Sequence, residues 1–244
     1  MSSKPMIAAQ GLAKAFQLYD HQNDQLKQIL FGSWQRFYRE KWVLNEVTFE
    51  ISKGECVGLI GRNGAGKTTL LQILCGITRP TRGLFHVDGR IAPILALGSA
   101  FDGLLTGREN ARIGAAILGL SRREVDACIE DIKSFADVGA AFEEPMRTYS
   151  SGMVARVAFA ICVYVKADVL IVDEALSVGD ETFQKKCEAY IADFAKRGTS
   201  LIVSHALDFI CELCNRVIWV ENGVVKLDGD PREVVAAYRE AMAK

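Results

Sequence analysis

The apolar run Cys56-Val57-Gly58-Leu59-Ile60 leads directly into Gly61, Arg62, Asn63, Gly64, Ala65, Gly66, Lys67 and Thr68, the pattern G-x-x-x-x-G-K-[ST]. A buried strand that ends in such a loop and continues into a helix commits a chain to an α/β fold built around a phosphate-binding turn. The glycines let backbone N–H groups turn inward around the β- and γ-phosphates of a nucleoside triphosphate. Lys67 sets a positive charge between those phosphates, and the Thr68 hydroxyl is a ligand for Mg²⁺. The helix that opens through Thr69 and runs on through residues 70–74 aims its positive end at the same place. A nucleoside triphosphate and Mg²⁺ are therefore the expected ligands.

The remaining pattern agrees with that commitment. Short β-like runs alternate with helix-like stretches, which predicts a largely parallel sheet with helices on its faces. Residues 83–89 and 91–97 read as strands after the phosphate loop. Residues 108–136 then turn helical, with Ser121 and Glu124 forming a capping box and Val125, Cys128, Ile129 and Ile132 at helical spacing. This marks 99–150 as a helical subdomain inserted between an α/β core of 1–98 and 151–244. The last helix, over 231–242, opens on Pro231.

One stretch, 20–41, does not belong to a minimal nucleotide-binding domain. Leu26, Ile29, Leu30, Trp34 and Phe37 share one helical face, with Lys27, Arg36, Arg39 and Lys41 around it. Two readings stand side by side: the face packs on the protein's own core, or it is an amphipathic helix at a membrane or partner surface.

Charge and cysteine usage exclude other classes. Lys and Arg total 29 against 30 for Asp and Glu, so no global field draws the chain to nucleic acid or anionic lipid. The seven cysteines are scattered through apolar segments, as in a reduced cytosolic protein. Cys211 and Cys214 have C-x-x-C spacing without a second pair, so they read as structural. The start lacks the apolar core of a signal peptide, and no run approaches the length of a membrane span. A role at a membrane would require docking on a partner.

A second chemical signal is Val169-Leu170-Ile171-Val172 followed by Asp173 and Glu174. Alternation along a strand sends the two carboxylates in different directions. Asp173 is the expected holder of Mg²⁺, and Glu174 the group that polarises the water attacking the γ-phosphate. His205 closes another apolar strand, 201–204. At the end of a parallel strand it stands on the edge where open α/β sheets place ligands, within reach of the γ-phosphate.

Between these motifs lies Tyr149-Ser150-Ser151-Gly152-Met153, which resembles the Leu-Ser-Gly-Gly-Gln signature of ATP-binding cassette proteins. Together with the phosphate loop, Asp173 and Glu174, a turn over 177–180 and His205, the resemblance covers nearly the whole chain. It implies a RecA-like P-loop sheet with an antiparallel β edge and an inserted helical subdomain. It also implies a homodimer in which Ser150, Ser151, Gly152 and Met153 cap the ATP held by the other copy's phosphate loop. Asp180 would end the turn between the two sites. Aromatic stacking on adenine is usual near the opening strand, where Phe16 is the first candidate and Tyr19 the second.

The departures narrow the resemblance. Tyr149, Ser151 and Met153 replace Leu, Gly and Gln of the signature, and residues 73–110 contain no Gln. Leu97, Gly98 or Ser99 takes the place where the family has one. These features and the early insertion resemble the ATPase subunits of polysaccharide exporters, the O-antigen (Wzt), capsule (KpsT) and teichoic-acid (TagH) group, in its shorter form. The resemblance implies ATP hydrolysis coupled to export of a lipid-linked polysaccharide. It implies two copies of a membrane-spanning permease as partners and a peripheral place on the cytoplasmic face of the bacterial inner membrane. The early amphipathic segment would then lie near that permease. The alternatives are another transporter's ATPase, or a soluble cassette ATPase acting on nucleic acid or ribosomes, although the chain carries no basic extension.

Overall fold

The computed structural model describes residues 4–31, 35–95, 101–173 and 180–243. Two sheets are stacked in it. The smaller is antiparallel, in the order β2 (Arg39–Ile51), β1 (Ile7–Leu18), β4 (Arg82–Val87). The larger has the order β5 (Ile91–Ile94), β6 (Val169–Asp173), β7 (Thr199–Val203), β3 (Cys56–Ile60), β8 (Arg216–Glu221), β9 (Val224–Gly229). All its neighbouring strands are parallel except β9, which runs antiparallel on β8.

The central strands of the larger sheet are covered on both faces, so every residue of β3 and residues 169–172 of β6 are buried. Val57 and Leu59 of β3, Val169 and Ile171 of β6, and Leu201 and Val203 of β7 face the smaller sheet. The helix α2 (Lys67–Leu74) lies in that layer and contributes Leu70, Leu71 and Leu74. The alternate residues Cys56, Ile60, Leu170, Val172 and Ile202 face the other way. There they meet α5 (Ser151–Tyr164), α6 (Glu181–Arg197), α7 (Leu207–Leu213) and α8 (Pro231–Met242) through Phe159, Phe183, Phe194, Ile210 and Val234. Each such large apolar side chain, fully buried, is worth about 1.5–3 kcal/mol.

A third cluster joins α3 (Gly107–Ile117), α4 (Arg122–Ala136) and α5 through Ala111, Ala115, Ile129, Ile132, Phe142, Val157 and Ile161. Both α3 and α4 open with capping boxes. Thr106 pairs with Glu109 and Ser121 with Glu124, the latter as its spacing predicts. The helix α5 belongs to two cores at once, because Phe159 and Cys162 point to the sheet while Val157, Ala160 and Ile161 point to α3 and α4.

The structure corrects the reading of 20–41. The helix α1 spans only Gln22–Phe31, and β2 already begins at Arg39. Residues 39–42 pair with β1, Leu18 with Arg39 and Phe16 with Lys41, so strand pairing claims the end of the expected helix. Phe37 lies outside α1, its N–H donating to Gln28 Oε1 at 2.9 Å, and Trp34 lies outside the described residues. Leu26, Ile29 and Leu30 are 61%, 80% and 71% exposed, which removes the first of the two readings: this face does not pack on the protein's own core. Among the described residues, no helix is long and apolar enough to cross a membrane.

Candidate nucleotide site

The phosphate loop hangs between β3 and α2 at the centre of the larger sheet. Gly66 has φ 101°, a left-handed conformation that L side chains rarely adopt. A Cβ there would sit 2.6 Å from Leu44 Cδ2 and 2.8 Å from the Val43 carbonyl oxygen, so the loop packs too tightly on β2 for any side chain. At Gly61 a Cβ would run into the carbonyl oxygen of Val220 on β8. These two glycines fix the loop between β2 and β8, while Gly64 at its tip faces open space. Arg62, Asn63 and Gly64 are exposed, whereas Ala65 and Lys67 are buried. Lys67 Nζ donates to the carbonyls of Gly61 at 2.8 Å and Arg62 at 3.3 Å, which holds the ammonium inside the loop. Thr68 and Thr69 follow in the first turn of α2, at the positive end of the helix, where orphan N–H groups suit an anion.

Parallel pairing brings the other candidates to the same edge. The strand β7 lies between β3 and β6, and Asp173, the last residue of β6, is opposite Val203, the last of β7. His205 stands two residues beyond. Ile60, Gly61, Lys67, Ser204, His205, Leu207 and Tyr238 line a cleft of about 70 Å³. The donor set suits a nucleoside triphosphate and a hard cation: an ammonium, a carboxylate, a threonine hydroxyl and a helix N-terminus on one edge. Glu174 and the turn residues 177–179 lie outside the described residues, as do Leu97, Gly98 and Ser99.

Ser150 and Ser151 are exposed at the start of α5. Ser150 caps α5, its Oγ accepting from the Met153 N–H at 3.2 Å, with Gly152 in the same turn. Tyr149, the departure from leucine, has a structural role: its hydroxyl donates to the Ala141 carbonyl and packs against Gly107. Burial pushes the Tyr149 phenol up. Ser150 to Met153 do not line the cleft that holds Lys67 in the same copy.

Asp180 caps α6, accepting from the Phe183 N–H at 2.9 Å, and meets Arg156 Nη2 at 2.6 Å. The Phe183 N–H, followed by the Arg156 charge, holds its carboxyl below the usual range. Arg156, on α5, also stands 5.0 Å over the Phe183 ring. Arg156 is a functional-site neighbour that sequence reading does not single out.

The aromatic candidates are placed on the β1–β2 hairpin. Phe16 is 38% exposed, with Lys14 Nζ 5.1 Å from its ring centroid. Tyr19 meets Tyr38, ring centroids 5.9 Å apart, because β1 and β2 pair up to Leu18 and Arg39. Tyr38 is thus a further half-buried ring beside them that sequence spacing did not single out.

Comparison with known proteins supplies the context. A family model described as ABC transporter matches residues 44–177. The chain is 42% identical to the O-antigen export system ATP-binding protein RfbB of Klebsiella pneumoniae, over 98% of this chain and 99% of that protein. It is also 42% identical to the teichoic acids export ATP-binding protein TagH of Levilactobacillus brevis, over 98% of this chain and 66% of that one. Among solved structures, a dimeric ATP-binding cassette in a post-hydrolysis state with ADP and Pi superposes with a TM-score of 0.73. The identity is 18%, over 93% of this chain and 99% of that chain.

Proposed function

This chain belongs to the ABC transporter family of ATP-binding proteins, and from that premise we propose that it is the ATP-hydrolysing subunit of an exporter of lipid-linked polysaccharide. O-antigen is the first choice of cargo, capsule or teichoic acid the next. The end-to-end likeness to an O-antigen export ATP-binding protein supports the cargo class. The observation that carries the chemistry is the gathering of Lys67, Asp173 and His205 at adjacent strand ends, with Ser150 and Ser151 exposed elsewhere on the same copy.

In this reading ATP is the substrate. Lys67 turns from the Gly61 and Arg62 carbonyls to the β- and γ-phosphates, which the loop N–H groups of 62–68 surround. Thr68 and Asp173 would hold Mg²⁺, which supplies charge neutralisation on the phosphate oxygens. Glu174 accepts the proton of the attacking water, and His205 donates to the γ-phosphate as negative charge develops there. The Ser150 hydroxyl and the N–H groups at 151–153 of a second copy complete the cradle, so two copies close on two nucleotides. Phe16, Tyr19 and Tyr38 are the rings available to adenine.

The 99–150 segment is the part that would follow two permease copies as the dimer opens and closes. The exposed apolar face of α1 would lie against that permease, near the entrance for the glycolipid. The subunit would then be peripheral, on the cytoplasmic face of the inner membrane.

Copurification with a polytopic partner, followed by reconstitution with a lipid-linked glycan, tests the reading. Glu174→Gln is expected to retain ATP binding while losing hydrolysis and export. Near-normal turnover in that variant would remove Glu174 as the catalytic carboxylate, and export independent of ATP would remove the proposal.

A further inference from the structure

Two buried cysteines meet where α7 packs on the centre of the larger sheet. Cys56 opens β3 and Cys214 caps the C-terminal end of α7; their Sγ atoms are 3.6 Å apart although 158 residues separate them along the chain. Contacts on either side fix the pair. The Asn215 N–H donates to the Cys56 carbonyl at 2.9 Å, and the Cys56 N–H donates to Asn215 Oδ1 at 3.2 Å. Both backbone groups of Cys56 are thus held by the residue that follows Cys214. Two residues along β3, a Cβ on Gly58 would lie 2.6 Å from Ile210 Cγ2 and 3.4 Å from Cys214 Sγ, so α7 rests directly on the strand backbone.

The two thiols are not equivalent. Hydrogen bonding to the Cys214 thiol holds Cys56 below the ordinary thiol range against the effect of burial, whereas Cys214 is pushed up by Cys56 first and then by burial. Cys56 is the nucleophile of the pair, because the thiolate and not the thiol reacts. Burial pushes Cys75, Cys162 and Cys187 up to about 12, which keeps them inert. The pair also lies one side-chain layer from solvent: Cys214 is buried, but Glu212 and Asn215 around it are exposed.

We propose that Cys56 and Cys214 form a redox-active dithiol, which a peroxide closes into a disulfide that staples β3 to α7. The Cys56 thiolate attacks one peroxide oxygen and the O–O bond breaks, leaving a sulfenic acid and hydroxide, which regains the thiol proton as water. The Cys214 sulfur then attacks the Cys56 sulfur, the S–O bond breaks, and the oxygen leaves as a second water with the Cys214 proton. Two thiols are oxidised and one peroxide is reduced. The sulfurs close by about 1.5 Å to reach bonding distance. In a reducing compartment the pair stays open and closes only as oxidant rises. The staple sits at the end of β3 remote from Gly61, so it strengthens the centre of the sheet without touching the phosphate loop.

The test treats the full-length folded chain with hydrogen peroxide, alkylates it in denaturant, and maps peptides cut after both Arg and Glu, which separates Cys211 from Cys214. A Cys56–Cys214 bond is expected, reopened by dithiothreitol and still formed in Cys211→Ser. Closure should raise the urea midpoint by about 1 M, because the bond restrains a long loop of the unfolded chain. ATP affinity should change less than about twofold. The mapping needs no variant at either buried position, so it does not depend on how such a variant folds. A Cys56 that is still alkylated after oxidation, or a bond between Cys211 and Cys214 instead, overturns the proposal. An unchanged midpoint, or ATP affinity lost on closure, overturns the staple. Each of these results leaves the reading of the nucleotide site intact.

Discussion

In the proposed dimer the Ser150 hydroxyl has two separable jobs, and substitution can divide them. As an acceptor it caps α5 by taking the Met153 N–H at 3.2 Å, near the far end of the ordinary N–H···O range. Its own O–H remains available as a donor, since a hydroxyl has one proton and two lone pairs. Ser150→Ala removes both roles and should cost about 0.5–1 kcal/mol in stability, the lower part of the range for a lost cap. Ser150→Gly removes the hydroxyl too, yet glycine is a tolerable cap and costs only a few tenths of a kcal/mol. The donor role shows only when a second copy brings a γ-phosphate to Ser150. A hydrogen bond to a charged acceptor is worth about 1.5 kcal/mol or more, a little over tenfold in affinity. A two-fold dimer contains it twice, so ATP-driven dimerisation should weaken about a hundredfold in either variant. Urea melts report the cap, and sedimentation velocity with ATP in a Glu174→Gln background reports the dimer. Ser150→Thr should keep both properties. If Ser150→Gly dimerises as tightly as the parent, the hydroxyl is only a cap and the trans contact is wrong.

Three further expectations follow from the geometry. Lys67→Ala should weaken ATP binding at least about tenfold by titration, since it removes the buried charge between the phosphates; unchanged affinity would count against the loop as the site. Gly66→Ala forces a side chain into a left-handed position against Leu44 and Val43, which should cost about 1–2 kcal/mol of backbone strain and about 1–3 more of overpacking. A chemical melt within about 0.5 kcal/mol of the parent would refute that account of the loop. The Arg108 fork, helped by Lys133, lowers the Glu143 carboxyl from 4.5 to about 2. A depressed carboxylate contributes stability that is complete above its unfolded pKa and lost as pH falls through the folded one. The difference in urea midpoint between the parent and Glu143→Gln should therefore narrow between pH 4.5 and about 2; a constant difference would mean that the pair is not ionic.

Features written in consecutive residues were the legible ones. The strand-loop-helix of 56–74 and the strand ending at Asp173 announce themselves because strand, turn and helix chemistry occupy adjacent positions. The same holds for the cap at Ser121. What depended on distant pairing was hidden. Residues 39–42 read as the tail of an amphipathic helix because nothing local reveals that β1 extends to Leu18 and recruits them. Tyr38 meets Tyr19 for the same reason. Arg156 beside Asp180 is a contact between elements that sequence order separates, and a single Arg in a helix has no spacing that names its partner. Tyr149 looked like a mere departure from a motif until Ala141 supplied its acceptor.

The double membership of α5 gives it the properties of a stiff crank. Its 14 residues span about 21 Å, clamped along the length by Phe159 and Cys162 on one side and by Val157 and Ile161 on the other. A rod held in this way transmits rotation instead of absorbing it. A tilt of about 5° about the far end carries Ser150 through about 2 Å, more than a hydrogen bond tolerates. In the proposed dimer, release of a nucleotide sandwiched between two copies would then need no unfolding, because a slight swing of one helix would be enough to unlatch it.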